Sequence, residues 1–220
     1  LANRDDQDLN DDMILREVAF FMQAGAHSSA NALTHTFHEL AQWSEAHPED
    51  RIRLKADDGF LQRCVHESLR LHPASPVAWR EASESFSLPD GTPVAAGDSV
   101  LIDLMSANLE TSLFGEDAAS FNPNRDVANR IPTFGLTFGI GIHTCFGRDI
   151  AGGLGTAKTE DQPPHLGTLT NLLKSLLRHD ARPDPARPPV ADTATERPNW
   201  GSYPLRIGVP PLAKTAGVTG

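Results

Sequence analysis

The chain has 220 residues, of which 39% are hydrophobic and 22% charged, with 17 prolines and 17 glycines. That is the composition of an ordinary globular protein, not of a disordered or fibrous chain, and the length suits one domain with a substantial core or at most two small ones. A net charge of −10, from 19 basic and 29 acidic residues, argues against non-specific nucleic-acid binding as the main role.

No run of about 18 apolar residues is present, so no membrane segment is expected. Cys64 and Cys145 are too few for a disulfide framework in a chain this long, and a lone cysteine in an unusual setting is better examined as a ligand or nucleophile. The chain opens on Leu1 with a short polar lead to Asp12 and no signal peptide. A fragment or processed chain is therefore expected.

Residues 11–46 read as one long helix. Asn10, Asp11 and Asp12 offer capping side chains, and Ile14, Val18, Phe21, Met22 and Gly25, then Leu33, Phe37 and Leu40, recur at helical spacing. His47-Pro48 ends it, because a residue before proline avoids the helical region. Its middle, Ala24 to Ala30, is small and polar, and Gly25 costs about 1 kcal/mol relative to alanine. A bend there, or the close approach of something large, is expected.

A short helix at about 49–55 and a clear one at 58–71 follow, the latter ended by His72-Pro73 and carrying Cys64 on its apolar side. The period then changes to that of strands at 77–82, 85–88 and 99–104, with Pro89-Asp90-Gly91 and Ala96-Gly97-Asp98 as turns. Residues 105–131 read as irregular. A helix should begin near Cys145 and break at Gly152, Gly153 and Gly155, with 156–164 as loop. Another helix covers 166–177. Residues 181–198, rich in proline, read as irregular, and 203–209 as a last strand. No internal repeat is visible.

The decisive stretch is Phe138-Gly139-Ile140-Gly141-Ile142-His143-Thr144-Cys145-Phe146-Gly147. Gly139 and Gly141 permit positive φ, so a tight bulge can lift the backbone toward a flat cofactor. Cys145 falls near a helix start, where N–H groups and the helix dipole favour an anionic sulfur. Gly147 removes a side chain close beneath the cofactor, and Phe138 can shield the sulfur. A buried structural cysteine in a glycine-rich turn is the bland alternative. The three glycines alone would fall in place by chance in about three of ten thousand starts.

This stretch resembles the heme-binding signature of the cytochrome P450 family, phenylalanine-glycine-x-glycine-x-histidine-x-cysteine-x-glycine. Glu67-Ser68-Leu69-Arg70 resembles the family's glutamate-x-x-arginine helix, and Phe121-Asn122-Pro123-Asn124-Arg125 the segment whose arginine completes a buried Glu67–Arg70–Arg125 network. Arg80 and His143 match heme-propionate partners. The His143 contact is one common in soluble bacterial members; the likeness covers about residues 10–150 and implies that the amino-terminal half of the domain is not in this chain. Residues 1–220 are then one heme-binding region.

The family's distal helix carries a small residue, glycine, any residue, an acid and threonine. Here the matching residues are Ala24, Gly25, Ala26, His27 and Ser28. At 100° per residue Phe21, Ala24, Gly25, Ser28 and Ala32 share a face that is small at its centre. His27 can carry a proton near physiological pH, and Ser28 keeps a hydroxyl, so a relay stays chemically possible. His27 lies about 100° around the helix from Ser28, which equally lets it point away from the cofactor. A second departure is the interruption at 152–164.

The resemblance implies a mainly α fold with a small β region (α+β) and heme b, iron protoporphyrin IX, ligated by Cys145. It implies a monooxygenase that oxidises a small organic substrate bound on the Gly25–Ser28 side. It also implies a redox partner such as ferredoxin with its reductase, docking where Arg125, Arg130 and Arg148 offer positive charge, and a cytoplasmic location. With the acid and threonine replaced, peroxide-driven oxidation, a redox-neutral rearrangement, or a non-catalytic heme-binding fragment are the alternatives.

Overall fold

The computed structural model describes residues 10–128, 130–154, 165–195 and 197–208. The readings for the lead before residue 10, for Gly155 and the loop to 164, and for Val209 lie outside these residues.

Helix α1 spans Asp11–Ala46 and begins where Asn10 accepts a hydrogen bond from Met13 N, 2.9 Å, as a side-chain cap. It runs unbroken through Gly25, where an added Cβ would meet nothing within 4 Å. Open space beside the glycine is what the structure shows. Helix α2 (Asp50–Ala56) leads to α3 (Asp58–Leu71), capped by Asp57 accepting from Phe60 N. The carboxy-terminal half of α1, α3 and the later helix α7 (Thr168–Arg178) enclose the core of Phe37, Leu40, Phe60, Leu61, Cys64, Val65, Leu169 and Leu173. Cys64 is fully buried there, and desolvation pushes its thiol pKa up.

The sheet structure is a set of antiparallel pairs. Strand β1 (Val77–Glu81) pairs with β4 (Ser99–Asp103), and β2 (Phe86–Ser87) with β3 (Pro93–Val94). Register in the first pair sets Arg80 opposite Val100 and Trp79 opposite Leu101. The stretch read as irregular holds two short helices, α4 (Leu104–Asn108) and α5 (Thr111–Phe114). Each is nucleated by a preceding acid, Asp103 or Glu110, accepting a backbone N–H in its first turn. Pieces of five and four residues have no room for a helical apolar repeat, which is why periodicity misses them.

After the cysteine loop comes α6 (Arg148–Ala151), which begins three residues later than Cys145 and ends at Gly152. The proline-rich tail is not irregular throughout. Strand β5 (Arg182–Pro183) pairs with β8 (Leu205–Arg206), and β6 (Val190–Ala191) with β7 (Trp200–Ser202). Asp184 accepts from both Arg187 and Arg206, at 2.9 and 3.0 Å, and so ties the tail together.

Where the chain leaves at Leu154 and returns at His165, the two ends are clasped. Leu154 N donates to His165 O at 3.0 Å, and Gly153 bridges Leu166. Gln62 holds both sides, donating to Leu154 O at 2.6 Å and accepting from Gly167 N at 3.2 Å. A side chain at Gly167 would collide with Ala151 O at 2.3 Å.

Candidate heme-thiolate site

The cysteine loop is hung from α3 by side chains that take up its backbone groups. Thr137 donates its hydroxyl to Leu69 O at 2.6 Å. Asn108, fully buried, accepts from Leu136 N at 2.7 Å and donates to Arg70 O at 2.9 Å. His66 donates from Nε2 to Gly152 O at 2.8 Å, with Thr133 at its Nδ1, 2.7 Å. Burial lowers the His66 pKa, so the imidazole stays neutral and can donate from one nitrogen while accepting at the other. Sequence reasoning missed Asn108, Thr137, His66 and Gln62. Their only sequence signal is a polar type where α3 and its neighbours are buried, and polarity alone reads as an outer face.

Within the loop Cys145 N donates to Phe138 O at 2.7 Å, closing a tight turn. Gly139 and Gly141 sit at φ +66 and +62, and a Cβ on Gly139 would lie 2.7 Å from His143 O. Only glycine fits that position without strain. Gly147 has φ −81 and lies close to the sulfur, with a would-be Cβ 3.7 Å from Cys145 Sγ. The Phe138 ring packs edge-on against Phe134 at 5.0 Å and close to Gly152, so its body belongs to the core side of the loop. Cys145 itself is exposed, as is His143 at the end of a 3-10 turn, Gly141–His143.

Around the thiol the loop turns its apolar side chains outward. Ile142 is 96% exposed and Phe146 93%, and Ile140 and Ile150 are also exposed. In a water-facing loop this arrangement is unfavourable by about 25 cal/mol per Å², and a polar loop would have avoided it. A bare thiol on a stretch with exposed branched and aromatic side chains fits a flat, apolar, metal-bearing group such as heme.

The Glu67 carboxylate is held in a closed network. Arg70, fully buried, donates to it at 2.7 and 2.9 Å and to the carbonyls of Asn108 and Ala118 at 2.7 Å each. Arg125 donates to Glu67 at 3.0 Å and also to Phe114 O, Asp117 and Ser120 O. Asn122 N adds a fourth donor to Glu67. Arg125 is thereby removed from the list of docking charges, because its side chain is 5% exposed and fully committed. Arg148 is half-buried and pairs with Asp149 at 2.6 Å, and Arg130 is exposed. Arg80 lies on β1 and donates to Trp79 O at 2.7 Å.

On α1, residues 15–27 are exposed, including Val18, Phe20, Phe21 and Met22. Ala24, Gly25 and His27 are among them, and Ser28 is half-buried with its hydroxyl donating to Ala24 O at 2.9 Å. Among the described residues, no hydrogen bond or ion pair joins Ala24–Ser28 to the cysteine loop.

The sequence model of the cytochrome P450 family matches residues 1–152. Cytochrome P450 4F11 of Homo sapiens is 28% identical over 169 residues, covering 68% of this chain and 32% of that protein. The mycinamicin VIII C21 methyl hydroxylase of Micromonospora griseorubida is 30% identical over 138 residues, covering 63% of this chain and 33% of that one. Among solved structures, CYP109E1 from Bacillus megaterium in complex with corticosterone matches with a TM-score of 0.70 at 22% identity, over 91% of this chain and 48% of its own. The chain belongs to the cytochrome P450 family. Its fold is the mixed one of that family, mainly helical with small sheets. It spans about a third of the length of these curated relatives and about half of that solved structure. Among the described residues no helix is long and apolar enough to cross a membrane.

Proposed function

We propose that this chain supplies the heme-binding half of a monooxygenase that oxidises a small organic substrate, with electrons from a redox partner such as a ferredoxin and its reductase. The observation that carries the reading is the exposed Cys145 thiol, presented by a loop whose glycines adopt positive φ and whose apolar side chains face outward. Membership of the P450 family and the hydroxylase named among its relatives support it. A cytoplasmic setting belongs to the same reading.

Heme b held by the Cys145 sulfur supplies oxygen activation, the thiolate favouring O–O cleavage. Cys145 would hold the cofactor through its sulfur, with Gly139 and Gly147 giving the backbone room to approach and Phe138 closing the core side behind the sulfur. Arg80 and His143 would bind the propionates by charge and hydrogen bonding. Ala24 and Gly25 would leave room for the cofactor and substrate beside α1. Ser28 would offer its hydroxyl to a proton relay there, with His27 at the neighbouring position. Arg130 and Arg148 give the partner its positive contacts.

The test is the absorption spectrum of the reduced protein under carbon monoxide, beside Cys145→Ala. A strongly red-shifted Soret band that disappears in the variant is expected. A band of histidine-ligated type, or one indifferent to the substitution, overturns the assignment. The replaced acid and threonine favour one second reading, peroxide-driven oxidation. Turnover with hydrogen peroxide and none with reduced ferredoxin would select it.

A further inference from the structure

The tail is seated on α1 by aromatic contacts, and it brings a cation with it. Trp200 packs 4.7 Å from His38 and 6.5 Å from His35, ring centre to ring centre, and Tyr203 Oη lies 3.0 Å from His38 Nδ1. The turn between β6 and β7 carries Arg197, which donates from Nη1 to Ala74 O at 2.8 Å and so reaches the segment that follows α3. Between these elements lies a cavity with room for a water-sized group, lined by Asn31 and His35 of α1, His72, Met105 of α4, and Arg197 and Asn199 of the tail. The rest of its wall is alanine and proline.

No acid lines this cavity, and among the described residues no carboxylate pairs with Arg197. Its bond to Ala74 uses Nη1 alone, so Nε and Nη2 are left without a protein acceptor among those residues. That is the same pair of N–H groups with which Arg70 grips both oxygens of Glu67, the parallel fork that matches a planar carboxylate. Asn199 hydrogen-bonds the His35 side chain in the sense that favours the protonated ring, so its amide oxygen accepts and its NH₂ is left to donate. Asn31 adds a second amide with no partner among the described residues. Glu39, one turn beyond His35, is engaged by His72 Nε2 at 2.7 Å. Burial and His72, stacked on it at 4.4 Å, keep the His35 ring neutral, with a pKa of about 4.

We propose that Arg197, with Asn31 and Asn199 beside it, holds the carboxylate of an apolar organic acid, and that such acids are the substrate class of this protein. The assignment rests on reading the Gly25–Ser28 side of α1 as the substrate side. Ser28 and Gly25 stand about 4.5 Å and about 9 Å back along the helix from Asn31. An acid anchored at Arg197 therefore lays its apolar body along α1 and presents there a carbon several bonds away from the carboxylate. The cavity takes only the head of such a molecule: room for a water-sized group suits a carboxylate and excludes a phosphate. In a chain of net charge −10 a monoanion is also repelled less than a dianion. Arg197 is thus a specificity-determining residue, set on the tail and fixed in place by its bond to Ala74 O.

The experiment titrates the full chain, reconstituted with heme, with octanoate and with octan-1-ol. Calorimetry gives the affinities, ¹⁵N NMR of the reduced, carbon-monoxide-bound form follows the Arg197 Nε–H signal, and the Soret band of the oxidised form is recorded alongside. Octanoate should bind at least tenfold tighter than the alcohol, shift the Arg197 Nε–H signal and move the Soret band. Arg197→Gln, at an exposed position, should weaken octanoate at least tenfold and leave the alcohol within twofold, and Arg197→Lys should restore part of the loss. Equal affinity for acid and alcohol, or octanoate binding indifferent to Arg197→Gln, overturns the proposal. Acetate binding as tightly as octanoate means an adventitious anion only and overturns it too, as does octanoate that shifts Arg197 and leaves the Soret band still. Arg197-dependent octanoate binding in a sample lacking the red-shifted carbon-monoxide band fails the heme-thiolate reading and upholds the carboxylate site, whereas Arg197-independent binding in a sample showing that band fails the carboxylate site alone.

Discussion

Helix α3 and the cysteine loop are neighbours joined by Thr137 and Asn108, and they treat their functional groups in opposite ways. In α3 the charged pair faces inward: Glu67 and Arg70 are buried and every strong contact is made within the chain. In the loop the reactive group faces outward, with Cys145, Ile142 and Phe146 bare. The difference teaches which changes should damage folding and which should damage only cofactor binding.

Glu67→Gln should break the comparison hardest. It leaves Arg70 buried without its counter-charge, and a loss of about 3–5 kcal/mol is expected in urea unfolding. A loss under about 1 kcal/mol would mean that the network does not carry the fold.

Gly139→Ala comes next, because it puts a Cβ 2.7 Å from His143 O at φ +66. About 1–3 kcal/mol of strain is expected, together with weaker heme retention on gel filtration, since the turn that presents Cys145 must open.

Asp57→Ala removes the cap on Phe60 N, and a loss of about 1 kcal/mol without change in heme content is the expected outcome.

A milder lever is pH. The unfolded chain binds a proton at His35 near the usual 6.5, while the folded protein does so only near 4. Between those values the unfolded state holds more protons, so stability falls as pH drops through that window and levels off below it. His66, also depressed by burial, acts with the same sign. His35→Phe should flatten the slope of the urea midpoint between about pH 7 and about pH 5.

The smallest effect on folding belongs to Ile142→Ser, at a site 96% exposed. Stability should stay within about 0.5 kcal/mol, while heme affinity, measured by titration of the apoprotein, falls.

The sequence makes the long elements legible because their signals are local and repeated. The bounds of α1 and α3 follow from apolar spacing, with Asn10 as a cap for α1 and prolines at 48 and 73. The cysteine loop is legible because three glycines, a histidine and a cysteine at fixed spacing leave little room for accident. What stayed hidden depends on distant partners. Asn108 sits on a five-residue helix and reaches residues on both sides of it in sequence, at Arg70 and at Leu136. The strands of the tail are two or three residues long, and beside the β5–β8 pair Asp184 gathers Arg187 and Arg206. The stack of His35 on His72 joins residues far apart in the sequence, and no periodicity announces it.

The clasp between Leu154 and His165 has a consequence for engineering. Its two ends are fixed by their own hydrogen bonds and by Gln62. Lengthening a connection between two fixed ends costs only about 0.6 kcal/mol per doubling. A reporter or affinity sequence spliced between residues 155 and 164 should leave Gly152, and with it the seat of Cys145, where they are, making this a natural port for attaching the protein to an electrode or a second module.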